Sequence, residues 1–547
     1  MGTWYNVATH TRRHAEERPD QPALLFPAKA YTDAAPAWDA LTYRDFERRS
    51  DAYAYGLAER GVKRGDRVLM LMKPELDLWV VLFALFKIGA VPVIMDPGMG
   101  PKRLLACIER IGCRVIIAIP PVHVIKTFVR KPFKAAEICI TVGRRLWWGG
   151  HKLSECLSFR DEPFPLAELA FDDGAAIAFT SGSTGTPKGV AYHQGMWDTA
   201  VDAIREMMHM KAGDVSVQAF AAFAIYDLCW GHTAVIPKMD LSKPAKADPA
   251  VFAAAIQHNN AQMAFASPII WRKLAPYCTE RGLKLHSLDK AITTGAPTPP
   301  EMVRAFADIL RDGVEFHTPY GATEAIPVSH IGSDELLGSC VQQTAKGAGT
   351  CVGRPAPGLE LAIIEVTDAN LPIWTDDLRV PDGTIGELVV AGGQVSQRYE
   401  ESPEGNASAK IQDGDRVRHR MGDLGYLDAD GRIWFCGRKS HRLQTAEGMV
   451  PSVPVEGIYN EHPAVFRSAL VGVGTAGSQV PVLCVELHPG HTLSGIEGEL
   501  KALADGTPYA GVVQRFLAHP GFPTDARHNS KIRRGDLKTW AEGQGLV

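Results

Sequence analysis

The sequence holds 547 residues, with 58 Lys and Arg against 62 Asp and Glu, a formal net charge of −4 with His neutral. At roughly 150 residues per domain the length implies three or four folding units, or one large domain with an appendage. The 46% hydrophobic and 22% charged fractions exclude a disordered chain, and so even a balance gives no support to nucleic-acid binding through bulk charge.

Taken in chain order, the amino terminus runs into Arg12, Arg13, Glu16 and Glu17 without an apolar core segment, so no cleaved signal is expected. Thr42 followed by Asp45 predicts a helix start, and Phe46, Tyr53 and Leu57 recur at helical spacing before Gly61 stops the run. A short apolar strand at 68–71 precedes a helix at 75–87, a strand at 90–95 and a turn at Asp96-Pro97-Gly98. The greasiest stretch, 78–86, is stopped by Lys87 and Gly89, well short of the ~18 residues a spanning helix needs. It reads as a buried helix, with no transmembrane segment expected. Further buried strands are predicted at 115–119, 175–179, 262–266 and 290–293, the last three each followed by a loop and a helix. This alternation predicts an α/β fold with a large N-terminal domain of parallel sheets covered by helices, and ligands at the carboxyl ends of the strands.

Between Lys126 and Lys152 lie Arg130, Lys131, Lys134, Arg144 and Arg145, with Trp147-Trp148 close by. Two readings stand: a solvated insertion whose tryptophans pack on the domain, or a docking patch for an acidic partner or a membrane surface. From about Gly353 the texture changes to strands at 359–366 and 385–390 among many turn residues, predicting a smaller, antiparallel or barrel-like unit. After Gly437-Arg438-Lys439 comes a last stretch with apolar runs at 469–473 and 480–487, read as a small α+β domain. The domain division expected is 1–438 and 439–547. The 10 cysteines show neither a C-x-x-C pair nor zinc spacing, which fits a reduced, cytoplasmic setting.

The strongest local signal is Phe179-Thr180-Ser181-Gly182-Ser183-Thr184-Gly185-Thr186-Pro187-Lys188-Gly189, directly after a predicted strand. Small residues let backbone N–H groups approach phosphate oxygens, hydroxyls add donors, and lysine adds positive charge. It is not the G-x-x-x-x-G-K-[ST] loop, because Pro187 takes the second glycine's place and Gly189 follows the lysine.

This segment resembles the phosphate loop S-G-[ST]-T-G-x-P-K-G of the adenylate-forming superfamily, which includes acyl-CoA synthetases, luciferases and peptide-synthetase adenylation domains. Further likenesses follow in order. Gly295-Ala296-Pro297 resembles the strand-end loop against adenine. Tyr320-Gly321-Ala322-Thr323-Glu324 resembles Y-G-x-T-E, which implies an aromatic on adenine, Thr323 on phosphate and Glu324 holding Mg²⁺. Gly386-Glu387-Leu388 is similar to the family's G-E-L strand. Arg420-Met421-Gly422-Asp423 resembles [TR]-G-D with Met421 inserted, and implies Asp423 on the ribose hydroxyls. Gly437-Arg438 is similar to the hinge-side G-R, with Arg438 near ribose or phosphate. Asn529-Ser530-Lys531-Ile532-Arg533 resembles G-K-I-x-R with Ser530 for glycine, and implies that Lys531, on a mobile C-terminal domain, contacts carboxylate and α-phosphate. The resemblance spans about residue 5 to Lys531. It implies ATP and Mg²⁺, the ATP-site residues Thr180, Ser181, Gly182, Ser183, Thr184, Gly185, Lys188, Gly295, Ala296, Pro297, Tyr320, Gly321, Thr323, Asp423 and Arg438, and the catalytic set Lys531, Glu324 and Thr184.

The second half-reaction is where this sequence departs from the CoA ligases. Their loop after the hinge reads G-x-x-V-x-P-x-E-[VI]-E; here 448–456 places Pro454 where the first glutamate belongs, and Ser440 stands where Asp is common. With the segments 143–150 and 522–529, this is similar to the β-lactone synthetases of bacterial long-chain olefin biosynthesis. That likeness implies a long-chain 3-hydroxy (2-alkyl) fatty acid, adenylated and then closed by its own hydroxyl, with a long-chain acyl-CoA synthetase or fatty acyl-AMP ligase as the alternative. Phe220, Phe223, Tyr226, Ala266 and Ser267 occupy the segments that line the acyl site in relatives; His193 lies one position before the family's usual histidine and is given no base role. Peripheral membrane contact, or a complex with other olefin-pathway enzymes, is left open.

Overall fold

The computed structural model describes residues 4–32, 36–179, 187–241, 243–295, 298–524 and 531–545. Two mainly parallel sheets form the body. The first has eight strands in the order Tyr399–Glu400, Gly189–His193, Gly174–Phe179, Val91–Met95, Arg67–Leu71, Val115–Ala118, Ile138–Thr141 and His151–Lys152. All its pairings are parallel except the two made by Gly189–His193. That strand is a departure from expectation: after Gly174–Phe179 the chain returns as a strand, and the helix Gln194–Met208 comes only then. Gly189 permits the close return, since a Cβ there would meet the Phe179 ring at 2.8 Å. His193 caps the helix, its ring nitrogen accepting the Met196 N–H at 3.0 Å.

The helix Leu76–Ile88 is buried at every residue from Trp79 onward, so its unbroken apolar run is wrapped in protein rather than amphipathic. Gly89, at φ 75°, ends it in the left-handed conformation. Lys87, where the apolar run stops in the sequence, is still inside the protein. It is fully buried, its ammonium 2.8 Å from Glu47 and 2.7 Å from Asp51 of the helix Tyr43–Glu59. Arg12 binds the same two carboxylates. Thr42 caps that helix by accepting the Asp45 N–H at 3.1 Å, as its sequence predicts. Among the described residues no helix is long and apolar enough to cross a membrane.

The second sheet has seven strands, ordered Phe316–His317, Lys290–Thr293, Met263–Ala266, Val215–Gln218, Thr233–Val235, Pro22–Pro27 and Trp38–Thr42. Only the last pair is antiparallel. The third unit pairs its strands antiparallel. A three-stranded sheet (Tyr320–Ala322, Ala325–His330, Arg354–Pro355) accompanies a six-stranded one built on the long strand Arg416–Leu427. The edge strands of the latter, Thr350–Cys351 and Glu360–Ile364, do not pair with each other among the described residues.

Beyond Arg438 the chain forms a three-stranded sheet, Val465–Val473, Val480–Leu487 and Arg515–Ala518, with the helices Ser452–Tyr459, Leu493–Leu503 and Arg534–Glu542. It has its own apolar clusters, around Leu483 and Leu500 on one face and Val482 and Leu537 on the other, the strand alternation placing neighbours on opposite faces. Pro454 sits in the first turn of Ser452–Tyr459, where a missing N–H breaks no helical bond.

Candidate active site

The carboxyl ends of parallel strands from both sheets open into one cavity of ≈ 3560 Å³, which also reaches the antiparallel unit and the C-terminal sheet. Lys188, Gly295, Tyr320, Gly321, Thr323, Glu324, Asp423, Arg438 and Lys531 all line it. These residues are as far as 343 positions apart in sequence (Lys188 to Lys531) and share one cleft. Thr180, Ser181, Gly182, Ser183, Thr184, Gly185, Ala296 and Pro297 lie outside the described residues.

The segment Tyr320–Glu324 makes a tight reversal into the strand Ala325–His330. Gly321 is required there because a Cβ would meet the Ala325 carbonyl oxygen at 2.8 Å. The buried Tyr192 hydroxyl donates to the Thr323 carbonyl at 2.8 Å, and the Ser396 N–H donates to the Glu324 carbonyl at 2.8 Å, so the turn is clamped from both sides.

Asp423 is buried on the strand Arg416–Leu427 and accepts the Tyr320 hydroxyl on Oδ2 at 2.5 Å. Arg438, paired with it in register across the strand Ile433–Arg438, brings Nε to 3.1 Å from Oδ1. This is an ion contact without hydrogen-bond geometry, and Oδ1 accepts no hydrogen bond among the described residues. A buried carboxylate oxygen with an open acceptor position suits a vicinal diol. Burial raises the Asp423 pKa, and the Arg438 charge and the Tyr320 hydroxyl draw it back down. Arg420, beside the same motif, has a different task. Its guanidinium pairs with buried Glu387 at 2.6 Å and with the Thr367 and Ala369 carbonyls, and Lys439 reaches the same Glu387 oxygen at 3.0 Å. Glu387 thus ties down the first residue after Arg438.

Two residues of this cluster carry no motif signal. Tyr399, at the sheet edge, donates its hydroxyl to Glu324 Oε1 at 2.7 Å. Its backbone is held by Asn406 on both sides, N–H to Oδ1 at 2.7 Å and carbonyl from Nδ2 at 2.9 Å. The Lys188 ammonium lies 4.7 Å from the Tyr399 ring centroid and the Lys410 ammonium 5.3 Å from it. Lys410 donates to the Ser396 carbonyl and, at 2.8 Å, to its hydroxyl. Desolvation lowers the Lys410 pKa to about 7, Glu324 opposing and Lys188 reinforcing the shift. One aromatic ring therefore joins two cations to the carboxylate. The sequence signal that was available is slight: a lone cation, Lys410, at the start of a strand whose next residue, Ile411, is buried.

Among the described residues no three His, Cys, Asp or Glu side chains group as a metal site. Glu324 would hold a divalent cation only together with oxygens of a bound polyphosphate, a pattern typical of Mg²⁺.

Of the five residues expected along the apolar arm, four line the cavity and one does not. Phe220, Phe223, Tyr226 and Ser267 line it, Phe223 stacking on Phe265 at 4.3 Å and Tyr226 on Trp197 at 5.2 Å. Ala266 does not line the cavity. The strand Met263–Ala266 alternates, so Met263 and Phe265 face the cavity's core cluster while Ala264 and Ala266 pack with Trp271 behind the sheet. Phe265 lines the cavity in its neighbour's place. Ser267 Oγ, Thr293 Oγ1 and Gln218 Oε1 are buried on this wall without hydrogen bonds among the described residues. Met207, Met208 and Met210 supply adaptable thioether surface.

A family model described as "AMP-binding enzyme" matches residues 11–400. The chain is 41% identical over 556 aligned positions to an olefin beta-lactone synthetase of Xanthomonas campestris pv. campestris, covering 100% of this chain and 99% of the relative. It is 42% identical to an olefin beta-lactone synthetase of Stenotrophomonas maltophilia, covering 98% of each. Among solved structures it is similar to the amide bond synthetase McbA from Marinactinospora thermotolerans, with a TM-score of 0.78 at 22% identity over 98% of this chain and 99% of that one.

Proposed function

We propose the function of this chain from one premise: it belongs to the family of AMP-binding enzymes and is an ATP-dependent, AMP-forming ligase. Its reaction is the adenylation of a long-chain 3-hydroxy (2-alkyl) fatty acid, followed by attack of the substrate's own hydroxyl on the activated carbonyl. A β-lactone, AMP and pyrophosphate result. The observation that carries this reading is the likeness, over nearly the whole chain, to two olefin beta-lactone synthetases.

In the first step a carboxylate oxygen attacks the α-phosphorus and pyrophosphate leaves. The task for the protein is to let two anions meet, and cations aimed at the phosphoryl oxygens perform it. Lys188, with the 180–186 segment, is assigned to the polyphosphate, Asp423 and Arg438 to the ribose, Tyr320 and the Gly295 loop to adenine, and Lys531 to the reacting carboxylate and α-phosphate. Glu324 is assigned to Mg²⁺, which supplies charge neutralisation on the phosphates when bound. In the second step the hydroxyl and the carbonyl belong to one molecule, so holding them at near-attack distance removes the entropy of a bimolecular encounter and helps offset ring strain. AMP is the leaving group, and an apolar wall of aromatic and methionine side chains limits hydrolysis of the acyl-AMP. The division at residue 438 is assigned to two domains, the second carrying Lys531 in and out of the site.

The test is pyrophosphate release and product analysis with hydroxylated and plain long-chain acids, with and without CoA. Lactone should form from the 3-hydroxy acid without CoA; product only on CoA addition would favour an acyl-CoA synthetase. Lys531→Ala should lower pyrophosphate release by at least about 100-fold while ATP binding measured by calorimetry is kept. Unchanged release removes Lys531 from the chemistry.

A further inference from the structure

The helix Pro120–Phe128 begins in the cavity wall, where Val122 lines the space. Six residues later, roughly 9 Å along the axis, Phe128 stands 76% exposed. Around it are exposed Ile125, Val129, Leu146 and Trp147, the last 62% exposed and edge-on to Phe128 at 6.3 Å. A helix end and the 143–150 loop, joined by the Phe128–Trp147 contact, therefore expose five large apolar side chains. Trp148 is not part of it. It stacks on buried His123 at 5.9 Å and donates to Thr141 Oγ1 at 2.9 Å, which anchors the loop and leaves Trp147 outward.

Next to these side chains Lys126, Arg130, Lys131 and Lys134 ring a recess of ≈ 630 Å³ whose floor includes Phe133 and both tryptophans. Lys131 pairs with Glu109 and Arg145 approaches Glu155. Lys126, Arg130, Lys134 and Arg144 form no ion pair among the described residues. A water-exposed apolar cluster, flanked by unneutralised cations and a recess large enough for a phosphate-bearing head group, has the chemistry of the membrane–water boundary: aromatic rings at head-group depth and Lys and Arg on anionic phosphates.

We propose that this face docks the protein on an anionic phospholipid surface, Phe128 and Trp147 entering the interface and Lys126, Arg130 and Lys134 holding lipid phosphates. The purpose of the contact rests on the long-chain acyl substrate proposed above, since a chain sparingly soluble in water would then pass from lipid to the cavity along the Pro120–Phe128 helix. The affinity for lipid does not depend on that substrate.

The full-length protein is sedimented with vesicles of phosphatidylcholine alone and of equal parts phosphatidylcholine and phosphatidylglycerol, without ATP or acid. Binding is expected to the second only, weakening as salt is raised. Joint replacement Lys126→Gln, Arg130→Gln and Lys134→Gln should weaken it about 100-fold, at about fivefold per cation. Phe128→Ser with Trp147→Ser should weaken it at least about tenfold. Lys126→Arg with Lys134→Arg, which keeps the charges, should bind as the unaltered chain. Pyrophosphate release with a short, water-soluble 3-hydroxy acid should be the same in all variants. Vesicle binding that is absent, equal for both compositions or unaltered by the Gln variant overturns the proposal. So does loss on the Arg replacements, or binding of soluble polyglutamate in preference to vesicles, which would assign the face to an acidic protein. Failure of lactone formation, with vesicle binding intact, would instead count against the substrate reading alone.

Discussion

Replacing Tyr399 with Phe isolates one hydrogen bond in the cleft. The ring stays beneath the ammonium groups of Lys188 and Lys410, 4.7 and 5.3 Å from its centroid, and only the donor to Glu324 Oε1 at 2.7 Å is removed. Burial and the neighbouring Glu324 push the Tyr399 pKa far above 10, so the hydroxyl is a donor throughout the working pH range. A hydrogen bond to a charged acceptor contributes about 1.5–3 kcal/mol, which corresponds to a factor of about 10–150. If Glu324 must be held in one orientation to bind a divalent cation, kcat for pyrophosphate release in Tyr399→Phe should fall by about that factor, and the Mg²⁺ concentration for half-maximal rate should rise. Tyr399→Leu, which also removes the ring, should lose about 0.5–2 kcal/mol more for each cation. Steady-state pyrophosphate release across Mg²⁺ and ATP concentrations measures both, with thermal melts to show that the variants are folded. A folded Tyr399→Phe with unchanged kcat and unchanged Mg²⁺ dependence would refute the claim that this tyrosine positions the carboxylate.

Asp423→Asn keeps an acceptor but removes the charge facing Arg438, and should raise the KM for ATP about tenfold with a smaller effect on kcat; AMP binding by calorimetry checks it independently. Lys410, depressed to about 7 by desolvation, should lose its proton as pH rises through neutrality, so ATP affinity should decline from pH 6 to 9 and ATP binding near pH 7 should take up a proton. Lys410→Arg stays charged and should flatten that profile. On stability the sign is opposite: the unfolded lysine keeps its proton up to about 10.5, binds more protons than the folded one above about 7, and so this group's contribution to stability grows as pH rises through that window. Lys87→Met leaves Glu47 and Asp51 with Arg12 alone for charge compensation among the described residues, and should lower unfolding free energy by about 3–5 kcal/mol in denaturant titration.

The sequence by itself determined the elements and the chemistry. Runs such as 68–71, 115–118 and 290–293 became strands because they are short, apolar and bounded by turns, and the Thr42 cap and the Gly89 stop follow from local backbone chemistry. The motif segments could be picked out for the same reason, each being contiguous, and those among the described residues line one cleft. What only the tertiary structure decided depends on side-chain direction and on which distant segments meet. A one-residue difference in facing puts Phe265 rather than Ala266 on the cavity wall, because a strand sends neighbours to opposite faces and apolar residues on both faces hide the phase. Lys87 read as a boundary because its counterions, Glu47 and Asp51, lie on another helix. Tyr399 and Lys410 carry no local pattern, and they acquire meaning only where the edge strand brings them against Glu324 and Lys188, contacts that no sequence periodicity encodes.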